Sequence, residues 1–179
     1  TPLGAFSAAN GDLRLVNVTA GHNGRSYLAY QKVPQALNEF CQWLNTERKK
    51  INKKDTIAAY NLSIIAHYRL VTIHPWADGN GRMSRLVMNM LQWEFGLIPI
   101  KVLKEQKATY IQALIDAREK EDETIFPEVM LQLHNTNLKA EIAAFVTSIE
   151  ETNVTKEKHT KLTDRQVTIL QTIQTNPHI

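Results

Sequence analysis

The chain has 179 residues, 43% hydrophobic and 22% charged, with a net charge of +3 and a pI near 9.0. That length supports one ordinary soluble domain with a core, and so small a charge gives no argument for nucleic acid. Cys41 is the one cysteine, which excludes an intrachain disulfide and fits a reducing, cytoplasmic compartment; no apolar run reaches the roughly 18 residues of a membrane span.

The first stretch, TPLGAFSAANGD, lacks Met, a basic n-region and an apolar h-region. It reads as irregular, and as the start of a fragment or processed product. Asn23-Gly24 between apolar runs predicts a β-hairpin over roughly 15–30. Everything after it has a helical period. Pro34 suits a first helical turn, and Leu37, Phe40, Cys41 and Leu44 then share a face. Asp55 can cap the next helix, TIAAYNLSIIAHYRLVTI, which is apolar over most of its circumference and therefore expected at the centre. Met83, Leu86, Val87, Met90 and Leu91 mark a further helix, stopped by Gly96. Another carries Tyr110, Ile111, Leu114 and Ile115. Pro127 opens a long one whose stripe includes Met130, Leu133, Leu138, Ile142, Phe145 and Ile149. At about residue 150 the composition turns polar, so 151–161 reads as a linker. Beyond it Thr163 and Gln166 form a capping box, with Leu162 and Val167 as its staple. Residues 162–179 thus read as the first helix of a truncated second domain. The expected fold is an all-α bundle over 1–150 with a small hairpin.

The stretch HPWADGNGR, His74 to Arg82, falls between two of these helices. A helix opening near Asn80 offers unpaired N–H groups and the positive end of its dipole. Gly79 and Gly81 let that backbone approach a ligand, and the ligand such a site favours is a phosphate. Arg82 and Arg85, three apart, can grip the same anion. Asp78 would repel a bare anion, a conflict that Mg²⁺ between carboxylate and phosphates removes. His74 titrates near neutrality and is the natural acceptor of a hydroxyl proton. Each feature alone has a structural explanation: a turn, a cap, a solvated helix face. Their conjunction in this order points to phosphate chemistry on a nucleotide. It is not a P-loop, since G-x-x-x-x-G-K-[ST] is absent.

Residues 74–85, HPWADGNGRMSR, closely resemble the signature of Fic domain proteins, H-x-F-x-[DE]-G-N-G-R-x-x-R. The departure is Trp76 in place of Phe, one large aromatic for another. AHYRLVTIHP, RLVMNMLQWEFG, the hairpin and the helical remainder extend the resemblance over roughly residues 10–150. The tail from Leu162 resembles the opening of the winged helix that follows some Fic domains. The resemblance implies a Fic-type helical bundle with a hairpin flap. It implies a protein adenylyltransferase that moves AMP from ATP to a Ser, Thr or Tyr hydroxyl of a target protein and releases pyrophosphate. On that likeness His74 is the base, Asp78 holds Mg²⁺, Gly79, Asn80 and Gly81 cradle the phosphates, Arg82 and Arg85 neutralise the outer ones, and Tyr110 falls at the adenine pocket. The flap would pair with the extended target segment.

The likeness also frames the alternatives. Some relatives remove AMP instead, through an inhibitory [ST]-x-x-x-E-[GN] helix whose Glu pairs with the second arginine, here Arg85; these 179 residues contain no such pattern. Relatives that phosphorylate carry Lys at the position of Gly81, so Gly81 favours AMP transfer. A third alternative is a DNA-binding regulator that senses nucleotide, binding DNA only through the missing C-terminal part. Self-modification and a homodimer are further expectations; a membrane is not.

Overall fold

A computed structural model describes residues 11–19, 26–52 and 54–160, of which 150–160 as helix backbone only. Among these residues the fold is all-α. The helices are α1 (Val33–Lys50), α2 (Thr56–Ile73), α3 (Asn80–Glu94), α4 (Lys107–Glu119) and α5 (Ile125–Thr160), with 3-10 turns at Tyr30–Lys32 and Lys104–Gln106. No helix of the described residues is long and apolar enough to cross a membrane.

Helix α2 is the axis of the fold. Asp55 caps it as expected, its Oδ1 accepting from the Ala58 N–H at 2.9 Å. Apolar residues on every side let it touch three core clusters. Tyr60, Ile64 and Tyr68 pack with Met88, Ile100, Tyr110, Ala113, Ala117, Phe126 and Met130. Ala66 and Leu70 pack with Phe40 and Leu91, and Trp76 lies against this group beneath the signature loop. Ala59 and Leu62 pack with Phe95. Helix α3 ends as its sequence implies: Gly96 takes φ +71°, its N–H donates to Trp93 O at 2.9 Å, and the Leu97 N–H donates to Gln92 O at 2.8 Å, a Schellman closure.

Two expectations need correction, the extent of the hairpin and the place of Cys41. The hairpin over 15–30 is reduced, among the described residues, to one antiparallel bridge between Thr19 and Ser26, with the Tyr27 N–H donating to Val18 O at 3.0 Å. The Asn23-Gly24 turn lies outside the described residues. On the side of the bridge away from the turn, the Val16 and Leu28 carbonyls accept from the Arg14 guanidinium, and the Tyr30 N–H goes to Asn17 Oδ1. Cys41 is exposed rather than on the core face of α1; Trp43 packs inward in its stead. Met83, Leu86 and Met90 of α3 face outward, and Met88 and Leu91 are the buried pair. Residues 151–160, read as linker, continue α5. Their Glu and Lys favour helix, and no Gly or Pro interrupts them.

The chain divides into two compact units between His134 and Asn135. In the first, Met130 of α5 is fully buried; in the second, Ile142, Phe145 and Ile149 are exposed. The capping box at Thr163–Gln166 and the expected second-domain helix fall outside the described residues.

Candidate active site

Helix α2 ends at His74 because Pro75 bars the residue before it from the helical region. His74 adopts the left-handed conformation (φ 53°, ψ 59°) while its N–H still donates to Leu70 O at 3.2 Å. For a residue other than glycine this backbone is strained, and such strain gathers at functional positions. His74 Nδ1 lies 3.2 Å from Val71 O. A carbonyl only accepts, so Nδ1 carries the proton and Nε2 keeps a lone pair. Burial holds the His74 pKa below the ordinary histidine value; Arg14 and Arg118 push the same way, against the Val71 bond and Asp78. The ring is a neutral base near pH 7, and Tyr27 stacks on it at 3.9 Å between centroids.

The loop from Pro75 to Gly79 is latched by Asn80. The Trp76 N–H donates to Asn80 Oδ1 at 2.9 Å, and Asn80 Nδ2 donates back to Trp76 O at 2.8 Å. Asn80 is 2% exposed, so its side chain serves the loop and only its backbone is left for a ligand. Gly79 has φ +83°, a turn that needs glycine. The first intrahelical bond of α3 runs from the Met83 N–H to Gly79 O at 2.9 Å, so the N–H groups of Asn80, Gly81 and Arg82 lie ahead of it without a helical acceptor. Asp78 accepts from the Gly79 N–H at 2.6 Å and from Arg82 Nη2 at 3.2 Å. The Asp78–Arg82 pair is exposed and contributes little by itself. His74, Ala77, Asp78, Gly79, Asn80, Gly81, Arg82 and Arg85 line one recess of about 260 Å³. A Cβ on Gly81 would reach Arg85 Nη1 at 3.5 Å, so the missing side chain keeps open the space between the helix start and that guanidinium.

Tyr110 lies on the core-facing side of α4. It is 6% exposed, shares a hydrogen bond of 3.0 Å with His67 Nε2, and carries Arg85 6.0 Å above its ring centroid. Helix α4 turns this face into the core, and Ile111, Leu114 and Ile115 line a neighbouring, largely apolar recess of about 410 Å³ with Tyr27, Val71, Thr72 and Arg118. Tyr27 joins the two recesses, since it walls this one and stacks on His74. Among the described residues no group of three His, Cys, Asp or Glu side chains could hold a metal alone. Mg²⁺ commonly needs only one or two carboxylates beside substrate phosphates, and Asp78 over the α3 N-terminus fits that donor set.

Sequence reasoning missed Arg14, Tyr27 and Val71. Arg14 is a buried guanidinium bonded to main-chain carbonyls on both sides of the site. Nothing in the surrounding LRLV distinguishes it from a surface arginine.

Fold and site together define an all-helical domain whose signature loop feeds a helix N-terminus from a neutral histidine. A profile of the Fic/DOC family matches residues 3–92, and the chain belongs to that family. The "Protein adenylyltransferase Fic" of Drosophila melanogaster is 41% identical over 83 residues, covering 46% of this chain and 16% of the fly protein. The matched stretch is thus a small part of that relative. Among solved structures, Fic-1 from C. elegans superposes with a TM-score of 0.62 at 27% identity, over 77% of this chain and 38% of the other. A Fic family protein from Desulfovibrio desulfuricans gives 0.62 at 21% identity, over 95% and 48%, a likeness of fold alone.

Proposed function

We propose that this chain carries a protein adenylyltransferase centre that moves AMP from ATP to a hydroxyl side chain. The observation that carries the reading is the pairing of His74, whose Nδ1 lies 3.2 Å from Val71 O, with the N–H groups opening α3 in one recess. The triphosphate lies at that N-terminus, held by the N–H groups of Asn80, Gly81 and Arg82 and by the Arg82 and Arg85 guanidiniums. Mg²⁺ on Asp78, when bound, screens the phosphate charge. The base of the nucleotide occupies the apolar recess beyond Tyr27. The target hydroxyl gives its proton to His74 Nε2, its oxygen bonds to the α-phosphorus, and the bond from that phosphorus to the bridging oxygen breaks to release pyrophosphate. Cradle and clamps stabilise the charge gathering on the phosphate oxygens. The relative named an adenylyltransferase supports this reading, as does the absence of Lys at Gly81.

The test is His74→Ala. General bases contribute about 10²–10⁴-fold, so transfer should fall by at least a hundredfold while ATP affinity, carried by α3, stays within about threefold. Transfer at the wild-type rate would refute the assigned role.

A further inference from the structure

Arg14 lies 60 residues before His74, and no step above uses it. Arg14 is 2% exposed, and among the described residues its side-chain hydrogen-bond partners are all carbonyls. Nε donates to His74 O at 2.7 Å, Nη1 to Val16 O at 2.8 Å, and Nη2 to Leu28 O and to Ile73 O at 3.5 Å. Its own N–H donates to Pro75 O at 2.9 Å. Arginine is rarely this buried without a carboxylate, yet among the described residues Arg14 forms no ion pair. The carbonyl end of α2 takes the carboxylate's place. Ile73 and His74 supply its last carbonyls, which have no helical donor and carry the negative end of the helix dipole. Val16 and Leu28 belong to the two opposite arms of the hairpin segment. One planar fork therefore grips the left-handed turn that carries His74 and both arms, including the arm from which Tyr27 stacks on the His74 ring. Lysine, a point charge with three donors, cannot span the same acceptors.

We propose that Arg14 is a positioning residue that locks the hairpin arms to the base, so that one guanidinium sets the distance from a segment docked on the hairpin to His74 Nε2. The docked segment, though not the lock itself, rests on the adenylyltransferase reading.

The test compares Arg14→Lys and Arg14→Met with the wild-type chain by two readouts. The first is NMR of the His74 imidazole, which needs no activity. Wild type should show the Nδ1–H tautomer and upfield ring protons from the Tyr27 stack. Both variants, folded by circular dichroism, should show averaged ring nitrogens and a loss of that upfield shift. A residue that only stabilised the fold would leave these signals of the folded chain unchanged. The second is transfer: at saturating ATP kcat should fall more than tenfold, while KM for ATP changes less than kcat does, because the cradle of α3 does not touch Arg14 and only the Tyr27 wall of the base recess is disturbed. Folded variants with wild-type ring signals, or with KM raised and kcat kept, overturn the proposal. If Arg14→Met fails to fold, Arg14→Lys carries the test. If wild type transfers nothing, the adenylyltransferase reading fails while the ring signals still decide the lock.

Discussion

Replacing Asn80 by Ala removes the latch of the signature loop. Two hydrogen bonds go, at 2.9 and 2.8 Å, and leave the Trp76 N–H and C=O without their partner. Asn80 is 2% exposed, so water is poorly placed to replace it, and each buried group left unpaired costs about 1–3 kcal/mol. The lower half of the resulting range, about 2–4 kcal/mol, is the better expectation, because a loop can open partway toward solvent. For a domain of this size that is a fall of roughly 10 °C in melting temperature. Asn80→Asp sharpens the test. It keeps an acceptor for the Trp76 N–H but turns the donor into a second carboxylate oxygen against Trp76 O, so it should cost at least as much as Ala. It also adds negative charge at the proposed phosphate site and should weaken ATP binding further than Ala does. Thermal melts without nucleotide and calorimetric titration with ATP and Mg²⁺ give both quantities. An Asn80→Ala variant melting within about 2 °C of wild type, with only its ATP affinity reduced, would refute the latch and make the side chain a direct ligand.

Two further predictions concern single side chains. His67 is fully buried, and desolvation, aided by the Arg85 charge, lowers its pKa from 6.5 to about 3. The unfolded chain therefore binds a proton below pH 6.5 that the folded chain refuses, so this contribution is fully present above 6.5 and is lost as pH falls toward 3. It amounts to about 2–3 kcal/mol between pH 7 and 4.5. Urea unfolding at both pH values should show His67→Gln losing less stability than wild type by that amount, and parallel losses would contradict the assignment. The two glycines should behave oppositely. Gly79→Ala forces a side chain into φ +83° and should cost about 1–2 kcal/mol. Gly81→Ala sits in helix at ordinary contact distance from Arg85 and should hold or gain stability by up to about 1 kcal/mol, while its methyl fills the recess and weakens ATP binding. Melts and binding of the two variants check this, and equal behaviour would sink the distinction.

The helices were legible because their signals are local. Asp55 caps α2 and Gly96 closes α3 where the sequence implied, and the apolar circumference of TIAAYNLSIIAHYRLVTI made α2 the axis. The signature residues 74–82 and Arg85 line one recess with the exceptions of Pro75, which ends α2, and Trp76, which packs in the core. What sequence could not supply depends on long-range geometry. Arg14 matters through carbonyls that carry no side-chain signal, and three of its four guanidinium contacts are more than ten residues distant. Tyr110 and Ile111 are neighbours on one helix, and only packing decides which faces the core. An apolar residue need not be buried: Met83, Leu86 and Met90 of α3 are exposed, and so is Cys41 of α1. The polar run over 151–160 holds no Gly or Pro, and α5 continues through it.

The most direct test of the account is incubation of the chain with Mg²⁺ and ATP labelled at the α-phosphate, beside ATP labelled at the γ-phosphate, with the chain itself and added protein as acceptors. Protein-bound label should come from the α-position alone and be absent in His74→Ala. Label retained from the γ-position would contradict this and make the site a kinase.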